Sequence, residues 1–357
     1  RAAALPGTPR RDTARTNDID RVWSLATGMG GADRIDTGNA NEIVFGGMAG
    51  DIVNAGHGKN IVFGDSGQVT AANADDPLTQ WSVHQFTIGT IVSTAFADGG
   101  IDTLRSGDHD DILLGGRDGD TLDSGRGDNV VFGDQGRVLT FVNGQGGTAD
   151  TFNAVVGTPT RPAGDQPLTY LLVTTQIDTS NADGADIITT GIGRDLIFGG
   201  GDTDTLHAFA STSLGAMAAG TAAQDSNNIV FGDHGLIDYV SEELRLGGAG
   251  NPGLETFALT NSAANANGNP VRTADIDLIA SLEGNVVVAG QAVKATAIGG
   301  NDLITTGNLN DIVLGGAGAD RIVSGDGSNI VLGDNARLVA APGDSANPVF
   351  AVHEFTL

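Results

Sequence analysis

The sequence predicts an all-β chain wound as a parallel β-solenoid of four tandem modules, and three observations predict it. First, an acidic or amide residue recurs every nine positions. The series are Asp33, Glu42, Asp51, Asn60; Asp102, Asp111, Asp120, Asn129; Asp186, Asp195, Asp204 and, past an insertion, Asn228; and Asp302, Asp311, Asp320, Asn329. Second, an aliphatic residue stands two places after each, from Ile35 and Val44 to Ile322 and Val331. Third, glycine stands five places after the first three acids of each block, Phe209 being the exception.

A nine-residue unit of turn plus short strand accounts for all three. Along a strand, side chains alternate between faces, so one aliphatic points inward between polar neighbours. Glycine supplies the positive φ of a tight turn. Two units make one coil, and coils stack about 4.8 Å apart, so like residues form ladders. A ladder of carboxylates repels itself unless a cation sits within it. Oxygen-rich turns at that spacing suit Ca²⁺, which takes about six to eight oxygen ligands.

Composition agrees. The 357 residues include 44 acidic against 18 basic, a net charge of −26, which excludes nucleic acid as a partner because phosphate binding needs clustered Lys and Arg. Aromatics are 5% of the chain, which favours thin aliphatic layers over one large core. There is no cysteine, hence no disulfide framework. No apolar run is long enough to insert in a membrane. Residues 1–18 are polar and Arg-rich without an apolar stretch, and are read as an arm rather than an intact signal peptide.

The segments Gly315-Gly316-Ala317-Gly318-Ala319-Asp320-Arg321-Ile322 and, shortened, Gly30-Gly31-Ala32-Asp33-Arg34-Ile35 resemble the nonapeptide G-G-x-G-x-D-x-U-x of RTX proteins. The resemblance implies a right-handed parallel β-roll that folds on binding several Ca²⁺ ions outside the cell. Each ion would lie between turns two nonapeptides apart, pairing Asp33 with Asp51, Asp102 with Asp120, Asp186 with Asp204, and Asp302 with Asp320. Asp111, Asp195 and Asp311 complete the primary ligands. The glycine expected two places before the acid is replaced at Ala40, Ala49, His109, Asp118, Asp202, Ser226 and Leu309, which weakens the second nonapeptides, Glu42 above all. Asn60, Asn129, Asn228 and Asn329 rank second, since an amide offers one carbonyl oxygen.

Each block closes alike, at Val62-Phe63-Gly64-Asp65, Val131-Phe132-Gly133-Asp134, Val230-Phe231-Gly232-Asp233 and Val331-Leu332-Gly333-Asp334. Asp65, Asp134, Asp233 and Asp334 are read either as extra carboxylates for a neighbouring site or as plain turn formers. Past each closing turn comes a short strand (Gln68–Thr70, Arg137–Val142, Leu236–Val240, Arg337–Val339), then a polar loop. A second strand follows (Gln80–Ile88, Leu168–Ile177, Glu255–Thr260). These are predicted to widen the coils and continue the same solenoid. The divisions are an arm 1–18; module 1, 19–87, with its roll at 30–67; module 2, 88–156 (roll 99–136); module 3, 157–256 (roll 183–235); and module 4, 257–357 (roll 299–336). Phe350–Leu357 matches Trp81–Ile88, and Ile19–Gly38 aligns with Ile88–Gly107. The expectation is a slice of a longer array, or a subunit that joins its own kind head to tail.

Catalysis is not expected. None of the six histidines makes H-E-x-x-H, and no G-x-S-x-G or Walker A motif occurs. Asp110-Asp111 belongs to the repeat, and the integrin-type tripeptide Arg126-Gly127-Asp128 lies inside a repeat turn. The function expected is a secreted, cell-surface or matrix structural protein, as a segment of a bacterial adhesin or filament that meets its ligand through variable loops. The alternatives are the calcium-binding part of a secreted hydrolase and an S-layer component.

Overall fold

A computed structural model describes residues 19, 21–71, 87–141, 169–177, 183–209, 227–239, 276, 278–282, 284–288, 291–295 and 299–339. Strands recur in sixes. The first set is β1 (Arg21–Trp23), β2 (Arg34–Asp36), β3 (Ile43–Phe45), β4 (Ile52–Asn54), β5 (Ile61–Phe63) and β6 (Gly67–Ala71). The second is β7 (Ile88–Ser93), β8 (Thr103–Arg105), β9 (Ile112–Leu114), β10 (Thr121–Asp123), β11 (Val130–Phe132) and β12 (Gly136–Phe141). The third is β13 (Thr169–Thr175), β14 (Ile187–Thr189), β15 (Leu196–Phe198), β16 (Thr205–His207), β17 (Ile229–Phe231) and β18 (Gly235–Asp238). The fourth adds a hairpin: β19 (Leu278–Ser281), β20 (Gly284–Val288), β21 (Gln291–Ala295), β22 (Leu303–Thr305), β23 (Ile312–Leu314), β24 (Arg321–Val323), β25 (Ile330–Leu332) and β26 (Arg337–Val339).

These strands build three eight-stranded sheets. The first and third nonapeptides of every block form an outer parallel sheet, β2-β4-β8-β10-β14-β16-β22-β24. The second and fourth form a central parallel sheet from β3 to β25. Both run unbroken across module boundaries, β4 pairing with β8 and β5 with β9 in the same register as within a block.

The strands that flank each roll form the third sheet, β1-β6-β7-β12-β13-β18-β19-β26, and it is antiparallel. This corrects the expectation that they continue the parallel winding. The reason is topological. One strand of each pair leads into its roll and the other leads out, and a long connection returns the chain to the same edge. Neighbours in this sheet therefore run in opposite directions. Glu255–Thr260 lies outside the described residues, whereas Leu168–Ile177 contains β13.

Two cores follow. Central residues of the short strands, such as Val53, Val62, Leu104, Leu113, Ile197 and Val230, meet inside the roll with no exposed surface. Burying each such side chain contributes about 1.5–3 kcal/mol. Their neighbours on the central sheet, Ile61 and Phe63, Val130 and Phe132, Ile229 and Phe231, turn the other way and pack on Val69, Ile91, Val138, Val173 and Ile237 of the antiparallel sheet. Phe45 stacks on Phe63 at 4.8 Å, and Phe132, Phe198 and Phe231 stack at 4.9 and 4.8 Å, the spacing between strands. The central sheet is thus dry on both faces, which is why its strands are continuous apolar triplets. The outer sheet buries only the middle residue of Thr121-Leu122-Asp123 and its like.

Candidate metal centre

The coils turn at two edges. One edge, leading into the outer sheet, carries Asp33, Asp51, Asp102, Asp120, Asp186, Asp204, Asp302 and Asp320, and every position is aspartate. Each backbone N–H donates to Oδ1 of the aspartate on the next coil: Asp33 to Asp51 (2.6 Å), Asp51 to Asp102 (2.6 Å), Asp102 to Asp120 (2.7 Å) and Asp120 to Asp186 (2.7 Å). The run goes on through Asp186 to Asp204 (2.8 Å), Asp204 to Asp302 (2.9 Å) and Asp302 to Asp320 (3.0 Å). The ladder therefore crosses module boundaries, so the pairs within blocks are four of the seven adjacent pairs present.

Oδ1 is spoken for; Oδ2 is not. The Oδ2 atoms of Asp51, Asp102, Asp120, Asp186, Asp204, Asp302 and Asp320 are buried and have no hydrogen-bond partner. Each lies against the Cα of a turn glycine, beside a second glycine's carbonyl. A Cβ on Gly64 would run into Asp102 Oδ2 and the Gly115 carbonyl, and one on Gly133 into Asp186 Oδ2 and the Gly199 carbonyl. Carboxylate and carbonyl oxygens thus converge where only glycine leaves room. Among the described residues no three His, Asp or Glu side chains gather as one metal site, so an ion here needs backbone carbonyls beside its carboxylates, as a calcium shell allows.

Burial makes this row costly when charged. It pushes Asp102 and Asp302 up to about 7. Asp120, Asp186 and Asp204 are driven well above the usual carboxylate range, by burial first and then by adjacent carboxylates: Asp102 for Asp120, Asp134 and Asp120 for Asp186, Asp186 for Asp204. Asp51 is also raised by burial. A divalent cation among them removes both penalties.

The opposite edge, leading into the central sheet, alternates: Glu42, Asn60, Asp111, Asn129, Asp195, Asn228, Asp311, Asn329. The same N–H ladder runs through it, with Asn60 N–H to Asp111 Oδ1 at 2.7 Å and Asp111 N–H to Asn129 Oδ1 at 3.0 Å. What differs is the second side-chain atom. Asn129 Nδ2 donates to the Gly127 carbonyl (3.0 Å), the Gly125 carbonyl (3.4 Å) and Asp195 Oδ1 (3.0 Å). Asn60 Nδ2 donates likewise to Gly58 (3.0 Å) and Gly56 (3.3 Å), and Asn329 Nδ2 to Gly325 (3.0 Å). At these three positions the amide takes the glycine carbonyls that a cation would otherwise take; Asn228 Nδ2 has no partner, and Oδ2 of Asp111, Asp195 and Asp311 is buried and unpartnered as on the other edge. Burial raises Asp111, Asp195, Asp311 and Glu42. For the three aspartates, hydroxyls five places upstream (Ser106, Thr190, Thr306) pull the other way. Sequence reasoning passed over those hydroxyls, although a Ser or Thr at that offset was there to be read.

The closing aspartates act on the next module. Asp65 accepts from the N–H of Gly100 (3.1 Å) and Arg117 (2.5 Å), Asp134 from Gly184 (3.3 Å) and Gly201 (2.6 Å), and Asp233 from Gly300 and Ala317. With both oxygens engaged, they brace turns. Asp65 is pushed up to about 8, burial being the largest cause. Asp334 is exposed at the last coil.

Five of the positions that lost glycine keep its conformation: Ala49 (φ 74°), His109 (95°), Asp118 (65°), Asp202 (65°) and Leu309 (106°). The stack imposes the turn on whatever residue occupies it. In the tripeptide at 126–128, Arg126 pairs with Asp108 (2.9 Å) and Asp128 with Arg194 (3.0 Å), so both charges belong to ladders on the turn surface.

The family described as RTX calcium-binding nonapeptide repeat (4 copies) matches residues 25–53, 94–122, 107–137, 181–208 and 296–335. Searches of curated proteins and of solved structures found no match.

Proposed function

We propose, from the premise that this chain belongs through its nonapeptides to the RTX calcium-binding repeats, that it is an extracellular structural or adhesive segment whose folding is driven by calcium. The observation that carries the reading is the file of buried, unpartnered Oδ2 atoms along the all-aspartate edge. Asp51, Asp102, Asp120, Asp186, Asp204, Asp302 and Asp320 would hold the ions with the glycine carbonyls beside them. Among the described residues no Lys or Arg acts on this row, and calcium supplies the positive charge there. In a compartment poor in calcium the acids repel and the chain stays open. Where calcium is abundant, binding free energy becomes folding free energy. Among the described residues no helix is long and apolar enough to cross a membrane.

The direct test is circular dichroism with calcium and then with excess EGTA. The β signal should collapse on chelation and return on adding calcium back. A spectrum unmoved by chelation would refute calcium-driven folding.

Head-to-tail association belongs to the same reading. The ladders are directional: each coil donates N–H to the next and accepts from the one before. The last described coil leaves Val323 and Val331 at 44% and 43% exposed, and the first presents the Asp33 carboxylate. One end complements the other, and another coil of this kind, in the same chain or a second copy, fits either. Light scattering in calcium should show mass rising with concentration. A constant monomer mass up to high concentration would remove self-association from the reading.

A further inference from the structure

Each boundary between modules is an interface of one fixed form, and the two ends of the described stack carry its two halves. At a boundary the closing aspartate plugs into the module that follows. Asp65 accepts from the N–H groups of Gly100 and Arg117, Asp134 from Gly184 and Gly201, and Asp233 from Gly300 and Ala317. Glycine makes the socket. A Cβ on Gly116, Gly200 or Gly316 would run into Asp65, Asp134 or Asp233, and one on Gly100, Gly184 or Gly300 into the backbone of the preceding module. In module 1 the same places are Gly31, Gly47 and Met48. Among the described residues, a Cβ on Gly31 or Gly47 would meet nothing within 4 Å. At the far end Asp334 is exposed, and a Cβ on Gly333 would also meet nothing, whereas Gly64, Gly133 and Gly232 each face an aspartate Oδ2 and a glycine carbonyl of the next module. One end holds a plug and the other its socket.

The antiparallel sheet carries the same complement. Lead-in and lead-out strands alternate along it, from the lead-in β1 at one edge to the lead-out β26 at the other. At every boundary a lead-out strand meets the next lead-in strand in one register: Val69 opposite Ile91, Val138 opposite Val173, Ile237 opposite Ile279. There the residue after the closing aspartate accepts an N–H from the next module, Ser66 from Thr94, Gln135 from Gln176 and His234 from Leu282, at 2.8–2.9 Å. One more step in this register sets Leu338 opposite Val22 of a second copy and Arg337 opposite its Trp23. It also brings the Leu25 N–H to the Asn335 carbonyl. Leu25 and Trp23, 75% and 42% exposed, lie on the strand edge that this seam would use.

Resting on the head-to-tail reading above, we propose its partner and its register: a second copy of this chain seats its first coil on the last coil of the one before. β26 pairs antiparallel with β1 of the second copy, and Asp334 accepts from the N–H groups of that copy's Gly31 and Met48. The same step makes Asp33 of the second copy the rung that follows Asp320, so the aspartate ladder runs on through the seam.

The chain has no cysteine, so disulfide trapping in the full chain reads the seam directly. Within one chain β1 and β26 stand at opposite edges of an eight-stranded sheet, about 34 Å apart, too far for an internal bridge. Trp23→Cys with Arg337→Cys should therefore give covalent multimers under mild oxidation in calcium, seen on non-reducing gels and dissolved by dithiothreitol. Arg21→Cys with Arg337→Cys sets the thiols on a diagonal of about 7–8 Å and should trap little. Asp334→Ala reads the plug without any cysteine, and should weaken self-association in light scattering about tenfold or more. If mass rises with concentration but the two cysteine pairs trap alike, or Asp334→Ala associates as the parent does, the register is wrong while head-to-tail association stands. A constant monomer mass with no trapping removes both.

Discussion

The two turn edges of one coil solve the same problem by different means. On the aspartate edge each turn from Asp51 to Asp320 ends in a carboxylate whose Oδ1 accepts a backbone N–H and whose Oδ2 is left bare beside a glycine carbonyl. On the mixed edge every second turn ends in asparagine, whose Oδ1 accepts the same kind of N–H, and Nδ2 of Asn60, Asn129 and Asn329 donates to glycine carbonyls at 3.0–3.4 Å, while that of Asn228 has no partner. Donor replaces cation. The lesson is that a turn lined with carbonyl oxygens needs positive polarity at its centre, and an amide N–H supplies a part of what Ca²⁺ supplies in full. The chain therefore leaves a bare carboxylate oxygen at every coil of one edge from Asp51 to Asp320 and only at alternate coils of the other, Asp111, Asp195 and Asp311, where asparagines stand between them.

Paired substitutions break or sharpen this contrast, and they carry the largest effect expected. Asp120→Ala removes an acceptor from Asp102 N–H and a bare oxygen from the file. Calcium titration should show at least one fewer ion and affinity at adjacent turns weakened about tenfold or more, about 1.4 kcal/mol. Asn129→Ala should leave the ion count unchanged and cost about 1–3 kcal/mol in chemical denaturation, since the carbonyls of Gly127 and Gly125 lose their donor. Asn129→Asp should convert the turn and add an ion. If Asn129→Ala lowers the count as much as Asp120→Ala does, the two edges are equivalent and the contrast is wrong.

How much of this was legible beforehand follows the physics of each signal. The nine-residue stride is local, so the ladders at 33, 51, 102 and 120 and the aliphatic rows were readable from spacing alone. The second core was written in the chain as well. Ile61-Val62-Phe63 and Leu196-Ile197-Phe198 are apolar throughout, whereas Thr121-Leu122-Asp123 is apolar only at its centre. That difference marks the central sheet, buried on both faces, against the outer one. The direction of the third sheet was not legible, because β6 and β7 or β12 and β13 are joined by long connections that fix no geometry locally.

A smaller effect is the response of the buried carboxylates to protons when metal is absent. Burial holds Asp102 and Asp302 at about 7 and Asp65 at about 8 in the folded chain, against about 3.9 when unfolded. Between those values the folded state binds more protons than the unfolded one, so stability falls as pH rises. In EGTA, the β signal should be strongest below about pH 4 and fade as pH climbs through 7 to 8. In calcium the trend reverses, because protons then compete with the ion for the same oxygens. Asp51→Asn and Asp102→Asn together should make the metal-free pH profile shallower, the other raised carboxylates keeping the rest of the slope. Equal dichroism at pH 5 and pH 8 in EGTA would show that the aspartate file is not the source of the repulsion.

The smallest effect probes whether strain in the turns depends on the ion. Ala49 sits on the aspartate edge at φ 74° and Leu309 on the mixed edge at φ 106°, both in the left-handed region that glycine occupies without cost. Leu309 is 40% exposed, so trimming it to glycine loses little burial. Leu309→Gly and Ala49→Gly should each stabilise the folded chain by about 1 kcal/mol in denaturant titrations. At Leu309, in the turn that leads to Asp311 rather than to an all-aspartate site, the gain should be the same at low and high calcium. At Ala49, two residues before Asp51, part of the gain should appear as tighter calcium binding, since relaxing the turn pre-forms the carbonyl cradle. A calcium-independent gain at both positions would mean that the ion does not shape the turn it occupies.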